Sequence, residues 1–126
     1  MPCHVSKAEF SQYVAQALAE LPEPFAAHLE QITVEIQDRP TNKLLRSVGL
    51  THDELLFGLY QGINLIDRSV EHSGVLPDRI LIFQEDHELA CDSPAALVQE
   101  IRTTVLHEIG HHFGMDEDDL DRIGYG

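Results

Sequence analysis

The segment from Ser93 to Gly114 constrains this chain most, because its start, faces and end can all be read from side-chain chemistry. Ser93 is a good N-cap, Pro94 suits the first helical position, and a helical pattern runs through Phe113 until Gly114 offers a left-handed stop. At about 100° per residue, Val98, Ile101, Val105, Leu106, Ile109 and Phe113 form one broad apolar arc, so the helix must pack on a core. His107 and His111 share another face, flanked one or two turns earlier by Glu100 and Thr104.

Two imidazoles four residues apart on a helix sit one above the other, close enough for both to reach a single tetrahedral zinc ion. Glu108 follows His107 directly but points to the side, so it can touch a metal-bound water without ligating the metal; this is the physical content of His-Glu-x-x-His. In a chain of this composition the bare pattern is expected by chance about 0.05 times. Its position inside a capped helix, with Gly114 three residues past His111, adds to the signal. Catalytic zinc needs three protein ligands and an open position. The sequence after His111 is too short for a separate ligand-bearing helix, so the third ligand is expected from the acidic run Asp116, Glu117, Asp118, Asp119 and Asp121 or from upstream. Gly114 permits a chain reversal, and Glu117 stands ten positions after His107; Glu117 is the first choice, with Asp116, Asp118 and Asp119 the main alternatives.

The remaining chain reads as one α+β domain over residues 1–126. Ser6 and Glu9 resemble a capping box, and Phe10, Tyr13, Val14, Ala17, Leu18 and Leu21 recur at helical spacing, which predicts a first helix over about Lys7 to Glu20. Ile32, Val34 and Ile36 alternate with polar residues and predict a strand closed by Arg39 and Pro40. Thr41 to Leu50 is ambiguous, with a short helix ended by Gly49 as one reading. Leu55 to Tyr60 and Ile80 to Phe83 predict two further strands, and a last short helix is expected from Asp116.

The formal charge of −14 repels phosphate backbones and anionic lipid surfaces, so nucleic acid and membranes are not expected partners. No apolar stretch has the length of a signal peptide or a bilayer span, and a cytoplasmic location is the default expectation. Cys3 and Cys91 lack metal-site spacing and are expected to be reduced, inert thiols. Composition leaves the oligomeric state open.

The run HEIGHHFGMDEDDLDRIGYG, with the upstream PDRILIFQ and LLFGLYQG, resembles the small single-domain bacterial zincin-like metallopeptidases, a likeness covering about Leu55 to Gly126. It is similar in plan to the metzincin pattern HExxHxxGxx(H/D). The resemblance implies a zincin-type fold: a small mixed sheet of three or four strands packed against an N-terminal helix and the His-Glu-x-x-His helix. It also implies that a strand before that helix, Ile80 to Gln84, lines the cleft and pairs with extended peptide. Two departures stand out. Glu117 replaces the usual His or Asp, and no methionine turn follows downstream.

The expected reaction is peptide hydrolysis, with His107, His111 and Glu117 as metal ligands and Glu108 as general base, on a peptide or protein substrate. For an oxyanion donor, Tyr125 and His112 are weak candidates; packing on the core is the better reading for Tyr125, and a supporting or buried structural role for His112. His4, His28, His52, His72 and His87 are scattered singly and are expected to be solvated, with His87 drawing added interest because it follows the strand expected to line the cleft. The alternative is a non-catalytic zinc-binding partner or regulatory module, which leaves Glu108 without a purpose. A metal-dependent RNA hydrolase is disfavoured by the charge.

Overall fold

The computed structural model describes residues 3–23, 25–61 and 78–112. Along the chain these form α1 (Lys7–Ala19), a 3-10 turn (Ala26–Gln31), β1 (Ile32–Gln37), α2 (Asn42–Ser47), β2 (Gly58–Gln61), β3 (Asp78–Phe83), α3 (Gln84–Ala90) and α4 (Pro94–His112). Phe113, Gly114, Tyr125 and the acidic run with Glu117 lie outside the described residues, as does the helix expected from Asp116.

Local chemistry accounts for the starts of α1, α2 and α4 and for the end of α2. Ser6 caps α1 by accepting from the Glu9 N–H at 3.1 Å, and its hydroxyl donates back to the Glu9 carboxylate at 3.4 Å, so the reciprocal bond runs through the hydroxyl and not through the Ser6 backbone. Thr41 caps α2 in the same way, accepting from Leu44 N–H at 3.1 Å. The ambiguous stretch is therefore a single helix, and Gly49 ends it with φ +82°. There Leu50 N–H donates to Leu45 O and Gly49 N–H to Arg46 O, the double closure of a Schellman stop. At α4, Ser93 accepts from Ala96 N–H at 3.1 Å, as the sequence predicts.

The sheet has the order β1-β3-β2. β3 runs parallel to β1, with Ile32 opposite Asp78, and antiparallel to β2, with Gly58 opposite Ile82. β3 is thus the central strand, which explains why its apolar residues run continuously instead of alternating: Ile80, Leu81, Ile82 and Phe83 are all buried, on both faces. This corrects the expectation that Ile80 to Gln84 offers a free edge to substrate, since its pairing positions are taken on both sides and Gln84 already opens α3. β2 occupies only the end of the stretch Leu55 to Tyr60, extended by one bond from Phe83 N–H to Phe57 O.

One sheet face, with Ile32, Ile80 and Ile82, packs under α1 and α4; Phe10, Val14 and Ala17 of α1 meet Leu97, Ile101, Val105 and Ile109 of α4 in a single core. At about 25 cal/mol per Å² of apolar surface buried, this shared core is what holds both helices to the sheet. Leu97, absent from the predicted arc, lies fully inside it, whereas Val98 is only half-buried. Among the described residues, no helix is long and apolar enough to cross a membrane.

Helix α3 was not foreseen. Its sequence, QEDHELA, is polar except for Leu89 and Ala90, yet Leu89 is exposed and it is Gln84, Asp86, His87 and Glu88 that are buried. Each has a bonding partner. Glu88 accepts from Val5 N–H at 2.9 Å, and Asp86 accepts from Leu56 N–H at 2.8 Å while Arg39 lies 3.4 Å from its other oxygen. A segment that buries polar groups by tying them to backbone and side chains elsewhere in the fold has no apolar period to detect. Cys3 and Cys91 are free and buried, with Cys3 N–H donating to Cys91 O at 2.7 Å. Burial pushes the Cys91 thiol up from its ordinary value, away from the reactive thiolate.

Candidate metal centre

The core packing of α4 sets its orientation, and thereby the direction of its polar stripe. With Leu97, Ile101, Val105 and Ile109 facing the sheet and α1, His107 and His111 fall at the margin of the buried arc, both half-exposed. Their rings lie 5.0 Å apart, centre to centre, at 73°. A nitrogen from each and a carboxylate oxygen of Glu108 all lie within 4.8 Å of one another. Glu108 sits one step deeper into the arc and is 9% exposed. The structure thus brings together three of the four residues singled out in the sequence: two imidazoles, a pair of donors that suits zinc, with an acid beside them.

Strand β2 meets this helix at close range. Its Tyr60 N–H, on the side away from β3, donates to Glu108 Oε1 at 2.8 Å, so the carboxylate is aimed by main chain from the sheet. The approach depends on Gly58. A Cβ there would lie 2.7 Å from the Thr104 methyl, 3.1 Å from Leu81 O and 3.2 Å from Glu108 Cγ. Only a residue without a side chain lets the strand come this near.

Two buried histidines support the site. His112 is fully buried, and its Nδ1 bonds Asp78 Oδ2 at the start of β3; the same oxygen accepts from the Tyr60 hydroxyl at 3.0 Å. This agrees with a structural reading of His112, and it ties the end of α4 to the strand that holds Glu108. His87 corrects the expectation of a solvated side chain, since it too is fully buried. Its Nδ1 lies 2.8 Å from Phe83 O, an acceptor only, so the ring donates there, and Nε2 accepts from the Thr104 hydroxyl at 2.9 Å. Burial holds the His87 pKa below its ordinary value of 6.5, in keeping with a neutral ring. Asp78 and Tyr60 stand inside PDRILIFQ and LLFGLYQG, segments that carry the resemblance without assigning either residue a role, and Thr104 stands one turn before His107.

Beside the donor cluster, a cleft of about 290 Å³ runs between α4 and the loop entering β2. Leu55, Leu56, Phe57 and Gly58 form one wall; Glu100, Thr103, Thr104, His107 and Glu108 form the other.

A mixed α+β protein whose sheet packs on a helix bearing His107, Glu108 and His111 defines a metal-centre architecture of the zincin kind. A sequence model of the zincin-like metallopeptidases matches residues 29–126, and the chain belongs to that family. No curated protein sequence matches it significantly.

Proposed function

We propose that this chain is a zinc-dependent peptidase in which His107 and His111 hold the metal, a carboxylate of the following acidic run completes its ligands, and Glu108 is the general base. Glu117 is the first choice for that carboxylate, from its spacing to Gly114. The chemistry that zinc supplies at such a centre is Lewis acidity, which draws the pKa of a coordinated water towards ~7 and polarises a carbonyl. Glu108 takes the proton of the attacking water and hands it to the departing amine. The Tyr60 N–H fixes the direction of that carboxylate, and the cleft along α4 receives the peptide beside it.

One observation carries the reading: an acid adjacent to the two imidazoles is held by backbone from the sheet and lines the cleft at the same time. A purely structural zinc site has no use for such a group. Hydrolysis of an unbiased peptide library by wild type and Glu108→Gln tests it. The variant is expected to keep its zinc and lose about 10²–10⁴-fold in turnover. Equal turnover in the two proteins, or none in either with zinc bound, would leave a non-catalytic zinc-binding module as the better account.

A further inference from the structure

The cleft beside the donor cluster has a chemical polarity that the hydrolytic reaction itself does not require. Leu55, Leu56 and Phe57 supply one apolar wall. Across from them, the Thr104 hydroxyl is spent on His87 and the Thr103 hydroxyl on Gln99 O. Apart from Glu108, the acid on the lining is Glu100. Among the described residues Glu100 makes no hydrogen bond or ion pair, and Arg102, its nearest basic neighbour along α4, pairs with Glu20 at 3.2 Å.

Glu100 lies seven residues before His107, two turns along the same stripe, so the two side chains leave the helix about 10 Å apart. A scissile bond held at His107 and Glu108 therefore places the carboxylate beyond the reach of a short side chain. The four-carbon stem of lysine or the arm of arginine spans that distance, with its methylenes against the apolar wall. An uncharged side chain of equal length would bury the same stem and leave the carboxylate without its partner.

We propose that this cleft selects a lysine or arginine next to the scissile bond, with Glu100 as the specificity-determining residue. The inference rests on the peptidase reading and deepens it. The net charge of −14 adds a field that draws cationic peptides towards the site.

The test uses zinc-loaded chain and one peptide series in which each residue flanking the cleaved bond is in turn lysine, arginine, norleucine or glutamate. Wild type is expected to favour lysine and arginine over norleucine by about tenfold or more in kcat/KM, the worth of a charged hydrogen bond. Glu100→Gln should erase that ratio with little change for norleucine, and Glu100→Lys should turn the preference towards glutamate. The same ratios are expected in equilibrium binding of the uncleaved peptides to Glu108→Gln. Cleavage with norleucine as good as lysine, or a lysine preference that survives Glu100→Gln, overturns this inference and leaves the peptidase reading standing. No cleavage of any peptide overturns both.

Discussion

Replacing Gly58 with alanine adds one methyl group where β2 meets α4. The new carbon would lie 2.7 Å from Thr104 Cγ2. Optimal carbon separations are ~3.5–4.0 Å, so the shortfall is about 1 Å. Rotating the Thr104 side chain would relieve the contact only by breaking its hydroxyl bond to the buried His87. Leu81 O, at 3.1 Å, belongs to the central strand and cannot yield. The strand must therefore back away from α4, carrying Tyr60 N–H with it and loosening its hold on Glu108.

Overpacking of this size costs about 1–3 kcal/mol of stability. A base displaced by ~1 Å costs about 10²-fold in turnover. Urea unfolding read by circular dichroism gives the first quantity, and kcat on a cleaved peptide gives the second. Thr104→Ser supplies the internal control, since it removes the nearest carbon and keeps the hydroxyl. The double variant should recover at least half of the lost stability. If Gly58→Ala is as stable and as active as wild type, or if Thr104→Ser adds its own loss without any recovery, the close approach of β2 to α4 is not what positions Glu108.

The Asp78 carboxylate serves both the Tyr60 hydroxyl and His112. Asp78→Ala should cost about 2–4 kcal/mol, the summed desolvation of two donors deprived of their acceptor, and a thermal-unfolding loss below about 0.5 kcal/mol would contradict that role. The His87 pKa is lowered by burial, so below pH 6.5 the unfolded chain binds a proton that the native chain refuses. Its contribution to stability is complete above that pH and is lost as pH falls towards the folded pKa. Urea midpoints measured between about pH 7.5 and pH 5 should fall in wild type and fall less steeply in His87→Gln; parallel curves would contradict a neutral buried ring.

What could be read from sequence was what is encoded locally. Ser6, Ser93 and Gly49 act within a few residues of themselves, and the helix ends they mark are found where they stand. The stripe of His107 and His111 follows from helical repeat alone, so the donor pair was legible before any tertiary structure. The site's supports were not. Gly58 stands inside the run LLFGLYQG, and nothing in that run says that a helix fifty residues later will press against it. The resemblance makes Ile80 to Gln84 a cleft edge, whereas the continuous apolar run Ile80 to Phe83 denotes burial on two faces in a central strand. α3 and His87 leave no hydrophobic period because their burial is sustained by hydrogen bonds to residues distant in sequence, such as Val5, Leu56 and Thr104.

Zinc content is the most direct test of the central claim. Protein purified without added metal, measured by plasma mass spectrometry against chain concentration, should carry about one zinc per chain. His107→Ala and His111→Ala, folded by circular dichroism, should each carry close to none, as expected when one of three ligands is lost. A wild-type value near zero after zinc has been offered, or a value that neither histidine substitution changes, would contradict a metal centre on this helix.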